Sequence, residues 1–217
     1  MSRECIQGIR IVLTVTMFLL VTINMLPVEL AVSLVVEHGP IEMLTVIGYF
    51  IAAFGLVVLP FFRPGVRTVL GGFLVLLLGL RELDFHSKFT TMGIFKSRYY
   101  LSPDVPLPEK GIVSLLMILL VIVLVYFSRT HFPGFLDGLK KKESVAVNVG
   151  LALLFAIGSK GMDSISASLH WIAALYHENP ARSMQINEEV IELAIPLFLL
   201  CAIYHLAGKR NVEKSIS

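Results

Sequence analysis

The sequence predicts an all-α integral membrane protein, a bundle of six transmembrane helices formed by a single domain, 1–217. The chain has 217 residues, is 56% hydrophobic and has a mean hydropathy of +0.80, values typical of proteins embedded in a bilayer. Apolar runs recur along it at lengths close to the ~20 residues that a spanning helix needs. The predicted spans are 8–28, 41–62, 65–86, 111–127, 145–168 and 188–208.

The distribution of charge predicts the orientation. With the N-terminus in the cytoplasm, 11 of the 18 Lys and Arg residues fall on the cytoplasmic side, against four of the 16 acidic residues. The positive-inside rule therefore favours N-in and C-in ends and a long outer-side loop, 87–110, between helices 3 and 4. The short loops and small size suggest a multi-pass protein of a cell membrane, and we take the bacterial inner membrane as the expected location.

Local signals support the span boundaries. The first span carries no small-x-small cleavage site after its apolar run, so we expect it to stay uncleaved. Arg63-Pro64-Gly65 is suited to a tight turn between the second and third spans. Asn187 is expected to cap the last span, with Glu188 and Glu189 against the positive helix end.

Three of the apolar runs are short, and each is adjoined by ionisable residues at the same predicted depth. Such groups in hydrocarbon cost about 3 kcal/mol or more, so they usually face a bundle interior or a wet cavity. We therefore predict a polar cavity open to the outer face. Its candidate substrate or proton-site residues are Glu29, Arg81, Glu82, Asp84, His86, Lys160, Asp163 and Glu192.

Two interpretations of these groups stay open. In the first, Glu82, Glu192 and His86 exchange protons, while Arg81 and Lys160 contact an anionic group. Asp84 and Asp163 would then hold those two cations when the site is empty. In the second, Arg81–Asp84 and Lys160–Asp163 are simple ion pairs three residues apart on a helix.

A short internal similarity connects the third and fifth spans. Both contain the pattern Gly-x7-Gly-x-(Arg/Lys)-x-x-Asp, ending at Asp84 in one and at Asp163 in the other. Duplication of a helix hairpin would explain it, as transporters often carry such repeats. Chance in Gly-rich apolar sequence is the competing explanation.

A divalent metal is an open alternative for a cofactor. The candidate ligands are Glu82, His86, Asp163, His170 and Glu192, which offer the imidazole and carboxylate groups that zinc accepts. No compact motif such as His-Glu-x-x-His supports the site. The two cysteines, Cys5 and Cys201, have no metal-binding spacing, and we expect them to be inert.

The function that these observations favour is the binding or translocation of a small charged solute or a lipid head group, with proton coupling. A membrane-embedded hydrolase acting on outer-leaflet lipid, with or without a metal, is the first alternative. An accessory subunit that docks to partner helices or forms an oligomer is the second. The expected surroundings are the lipid bilayer, and no nucleic-acid-binding pattern is present. Because binding, transport, hydrolysis and an accessory role all stay open, the sequence does not decide whether the protein is an enzyme.

Overall fold

A computed structural model describes residues 1–35, 39–63, 68–94, 97–168 and 180–208, apart from the side chains of 28, 86, 163–168 and 180–185. These residues form helices and turns, without a β-strand among them, which confirms the all-α prediction. The elements are α1 Arg3–Met25, α2 Val28–Val35, α3 Pro40–Phe62, α4 Val69–Glu82, a 3₁₀ turn Phe85–Lys88, α5 Ser97–Leu101, α6 Leu107–Lys140, α7 Ser144–Ser168 and α8 Pro180–Gly208.

Within the described residues, five helical segments are long and apolar enough to cross a membrane, the pattern of a multi-pass membrane protein. They are Arg3–Met25, Glu29–Phe62, Leu107–Lys140, Ser144–Met162 and Ile186–Gly208. The third predicted span is not among them. Its helix, α4, has 14 residues and a length of about 21 Å, against the ~30 Å of a hydrocarbon core.

Two predicted helix boundaries are wrong. The third span was expected to be helical to His86, but α4 ends at Glu82 because Asp84 adopts a φ of 46°, outside the right-handed helical region. The last span was expected to start at Asn187, but α8 begins at Pro180, so Asn187 lies inside the helix and is not its cap. Its side-chain oxygen instead accepts a 2.7 Å hydrogen bond from Asn24 of α1.

Helix α8 is the centre of the bundle and packs against α1, α2, α3 and α7. Gly8 and Asn24 of α1 meet Cys201 and Asn187 respectively, so α1 runs antiparallel to α8. Gly48 and Gly55 of α3 meet Pro196 and Ile203, so α3 runs parallel to it. Helix α7 is antiparallel to α8, since Ser159 bonds Glu192 and Phe155 stacks near Phe198.

An apolar core lies across the middle of these helices. Phe198 of α8 is fully buried there, and its ring centroid is 5.2 Å from that of Phe155 on α7. Helices α1, α3, α4, α7 and α8 supply its buried residues, which are Val12, Tyr49, Ala52, Ala53, Val75, Ala152, Ala194, Ile195 and Phe198.

Helix α6 lies at the edge of the bundle. Its apolar window is only 6% buried, and it contacts α7 near its C-terminal end, where Gly138 meets Ala146. A helix with apolar side chains exposed on all sides is expected to face lipid. The predicted span 111–127, which lies within α6, contains no charged residue, and this exposure of the helix explains why.

The outer segment expected as a loop folds around one carboxylate. Glu109, in the first turn of α6, accepts hydrogen bonds from the Thr91 amide (2.9 Å), the Thr91 hydroxyl (2.7 Å) and the Tyr99 hydroxyl (3.0 Å). Tyr99 is fully buried beside Val105 and Val113. The segment is therefore a small folded cap with its own apolar centre.

Helices α3 and α4 approach closely at two glycines. A Cβ at Gly72 would lie 2.8 Å from Val57 Cγ2 and 3.0 Å from the Ala53 carbonyl oxygen. At Gly79 it would lie 3.0 Å from the Cβ of Tyr49. The small residues let the two backbones pack directly against each other.

We expect Gly72→Ala to destabilise the protein by about 1–3 kcal/mol, because the added methyl group meets a backbone oxygen that cannot move independently. Unfolding in mixed detergent micelles measures the change. Gly71→Ala is the matched control, since a Cβ there meets only the Phe127 ring at 3.7 Å, an ordinary contact. Equal effects of the two substitutions would show that α3 and α4 do not pack this closely.

Candidate functional site

Carboxylates from three helices meet near the start of α8, in a group we term the glutamate cluster. Its acidic members are Glu42 of α3, Glu82 of α4, and Glu188, Glu189 and Glu192 of α8. Its cationic members are Arg81 of α4 and Lys160 of α7. The cluster lies directly above the apolar core, where a charge without a partner is costly.

Glu192 is at the centre of the cluster. Its Oε1 accepts a 2.6 Å hydrogen bond from the Ser159 hydroxyl and lies 3.5 Å from the Lys160 ammonium. Lys160 also donates to Glu188 Oε1 at 3.1 Å. The Ser159 side chain is fully buried and that of Glu192 is 10% exposed, whereas 49% of the Lys160 side chain is exposed. The serine contact is therefore fixed, and the lysine reaches in from the surface.

Glu82 brings a second carboxyl group to Glu192. The two carboxyl groups are close enough to interact electrostatically. Arg81 lies 3.9 Å from Glu82 Oε1, a distant ion pair. Tyr49 of α3 lies close to both acids and closes the cluster on the side of the core.

Glu189 and Glu42 add two further carboxyl groups beside this pair. Glu189 interacts electrostatically with Glu192, Glu42, Glu188 and Glu82. Glu42 is 9% exposed, in the first turn of α3. The five carboxyl groups thus form a connected set.

The local sequence explains how α8 presents its acids. Glu188 and Glu192 are four residues apart, so both lie on one face of the helix. Pro196 has no amide hydrogen to donate to the Glu192 carbonyl, which leaves a backbone oxygen without its helical partner at the level of the cluster. Gly48 allows α3 to touch Pro196, since a Cβ at Gly48 would lie 2.9 Å from the proline Cβ.

The structure brings together four of the predicted site residues, Arg81, Glu82, Lys160 and Glu192. Asp84 and Glu29 are exposed, at the end of α4 and the start of α2, and neither lies in the cluster. The side chains of His86 and Asp163 lie outside the described residues, as does His170.

One predicted ion pair, Arg81–Asp84, is replaced, and the other, Lys160–Asp163, is not tested because the Asp163 side chain lies outside the described residues. Arg81 pairs with Glu82 rather than Asp84, because the helix that would align Arg81 with Asp84 ends first. Lys160 pairs with Glu188 and Glu192. Arg81 and Lys160, which occupy equivalent positions in the internal similarity, thus reach the same cluster from two helices. Their neighbouring glycines differ, since Gly79 packs against Tyr49 and Gly158 has no described neighbour within 4 Å.

Sequence analysis missed several members of the site. Glu188 and Glu189 were interpreted as charges at a helix start, although the spacing of Glu188 and Glu192 was a usable signal. Ser159, Glu42 and Tyr49 gave no such signal, because only the packing of α3 and α7 on α8 brings them to Glu192. A serine hydroxyl in an apolar run can also donate to a backbone carbonyl of its own helix, so its presence does not predict a contact with another helix.

The described part of the chain contains no group of three His, Cys, Asp or Glu side chains arranged to hold a metal ion. Three of the five predicted ligands, His86, Asp163 and His170, lie outside the described side chains, and a metal site that includes them stays a prediction. Cys5 and Cys201 are both free thiols.

Comparisons of the chain with known protein families, curated proteins and solved structures gave no match. The functional argument therefore depends on the geometry of the glutamate cluster.

We expect Ser159→Ala to lower the free energy of unfolding by about 1.5–3 kcal/mol, the usual worth of a hydrogen bond to a charged group. Unfolding in mixed detergent micelles again provides the measurement. Thr16→Val is the control, because Thr16 is equally buried but donates only to the Val12 carbonyl of its own helix. A Ser159→Ala loss no larger than that of Thr16→Val would mean that the serine contributes nothing to holding Glu192.

Proposed function

We propose that the chain crosses the membrane six times and that the glutamate cluster lies toward the outer side. The helix contacts support an alternating path. Helices α1 and α7 run in the same direction, since Ser2 and Cys5 meet Ser144 and Asn148 at one end. Helix α4 runs antiparallel to α3, with Gly72 against Ala53 and Gly79 against Tyr49. Directions therefore alternate through α1, α3, α4, α6, α7 and α8.

Reporters fused to the two ends test this topology. Six crossings place the N-terminus and C-terminus on the same side, in the cytoplasm, so a cytoplasm-dependent fluorescent reporter should be active at both positions. An alkaline phosphatase fused after Met92, in the outer cap, should be active only outside. Ends on opposite sides would mean an odd number of crossings and would remove α4 from the set of spans.

We further propose that the glutamate cluster binds a small cation in competition with protons. The observation that carries this proposal is that five carboxyl groups from three helices lie together among the described side chains, with two cationic groups beside them. Next to an apolar core, carboxyl groups this close together are stabilised by bound protons, by cationic side chains or by a bound cation. A site of this kind exchanges a bound proton for a bound cation as conditions change.

This proposal revises the role expected for the two basic residues. Sequence analysis assigned Arg81 and Lys160 to an anionic group, but both are already occupied by glutamates. Lys160 supports a cationic ligand in a second way. Its half-exposed ammonium group lies between Glu188 and Glu192, so these two acids already bind one ammonium group.

The ligand class that fits is a small cation with ammonium chemistry. Free primary amines and the ammonium head group of a membrane lipid share that chemistry. A protein that only binds such a cation and a protein that transports it would both use the glutamate cluster as the binding site. The hydrolase alternative stays a prediction, because three of its candidate metal ligands, His86, Asp163 and His170, lie outside the described side chains.

Proton release on cation binding tests the proposal. Methylammonium chloride or sodium chloride is added to the detergent-purified protein in a weakly buffered solution containing a pH indicator. The wild type should release protons saturably, approaching about one per chain, because the cation takes the place of a proton on the carboxyl pair. Glu192→Gln should lose most of the release.

Glu4→Gln is the matched control, since Glu4 is exposed at the start of α1 and far from the cluster. It should release as many protons as the wild type. Repeating the titration in nanodiscs with ethanolamine or choline lipids separates the two sources of ligand, because a lipid ammonium would weaken the response to methylammonium. Equal release from wild type and Glu192→Gln would count against the glutamate cluster as the site.

A further inference from the structure

A second buried polar group lies at the opposite end of the bundle from the glutamate cluster. Asn148 of α7 is fully buried, and so is the adjacent Cys5 of α1. The Asn148 amide nitrogen donates to the Ser144 carbonyl at 2.8 Å and to the Cys5 sulphur at 3.4 Å. The other side-chain atom, Oδ1, is buried and has no hydrogen-bond partner among the described residues.

The orientation of this amide is fixed by its neighbours. Exchanging nitrogen and oxygen would place Oδ1 against the Ser144 carbonyl oxygen, so that two acceptors faced each other. The nitrogen therefore points to Ser144, and the oxygen is the atom that lacks a partner. Buried polar atoms in folded proteins are nearly always hydrogen-bonded, since leaving one unpaired costs as much as several ordinary hydrogen bonds stabilise.

The chemistry of the surroundings defines the missing partner. Oδ1 accepts hydrogen bonds and cannot donate, so the partner must be a donor. The other polar atoms at this point are a thiol and a backbone carbonyl, both uncharged, which disfavours an ammonium or metal ion. A water molecule donates two hydrogen bonds and accepts others, and buried waters typically bind such otherwise unsatisfied groups.

We propose that Asn148 Oδ1 binds one buried water molecule where the first turns of α1 and α7 meet, beside Cys5 and Ser144. The Ser2 hydroxyl, which accepts the Cys5 amide hydrogen and lies 3.3 Å from the Ser144 hydroxyl, closes the same junction from outside. The site is independent of the glutamate cluster. On α7, Asn148 and Ser159 are about 16 Å apart, with the buried Ala152 and the partly buried Phe155 of the apolar core between them.

X-ray radiolytic footprinting of the purified protein tests this site, with Cys5 as the reporter. Radiolysis converts a bound water into a hydroxyl radical that oxidises the nearest side chain. Cys5 should be oxidised rapidly even though it is as buried as Phe198. Mass spectrometry of the N-terminal peptide measures the rate, corrected for the intrinsic reactivity of each side chain.

Two substitutions at Asn148 have opposite expected outcomes. Asn148→Leu fills the space and removes the polar atoms, so oxidation of Cys5 should fall about five-fold or more. Asn148→Ala leaves room for water and should keep Cys5 reactive. Cys201 should react at the same rate in all variants. A slow Cys5 in the wild type, or the same Cys5 rate in both variants, would overturn the proposal, and the wild-type measurement decides the matter if the leucine variant does not fold.

Discussion

The burial of Glu192 in the central helix is the constraint on which the rest of the structure depends. A carboxyl group above an apolar core must be matched on every side, and its partners come from different helices: Ser159 and Lys160 from α7 and Glu82 from α4. These contacts fix the depth of α7 and α4 relative to α8. The fit of Gly48 against Pro196 fixes that of α3. The contacts that form the glutamate cluster are therefore also the contacts that position these helices in the bundle.

The membrane class and half of the site could be predicted from sequence because the penalty for charge in hydrocarbon is large. That penalty makes Arg81, Glu82, Lys160 and Glu192 conspicuous in otherwise apolar runs. Asp84 and Glu29 are equally conspicuous in the sequence but are exposed. Hydropathy does not record where a helix stops, and the positive φ of Asp84, which ends α4, has no signature in composition.

The remaining site residues depend on tertiary packing. Ser159 and Glu192 are 33 residues apart, and only the antiparallel docking of α7 on α8 brings them within 2.6 Å. Asn187 was expected to end a helix and instead joins two helices through Asn24. At the start of α6, three donors that sequence analysis placed in a loop converge on Glu109. In each case a polar side chain satisfies a partner distant in sequence, which no local pattern can reveal.

The proline in α8 has a mechanical consequence. Pro196 removes one backbone hydrogen bond between the half of α8 that carries the cluster and the half that carries Phe198. Bending a helix costs least where its hydrogen-bond ladder is already interrupted. A bend in α8 is therefore least costly between the cluster and Phe198. The interrupted hydrogen bond lies directly beneath the charged cluster, so this is the point at which α8 bends most easily.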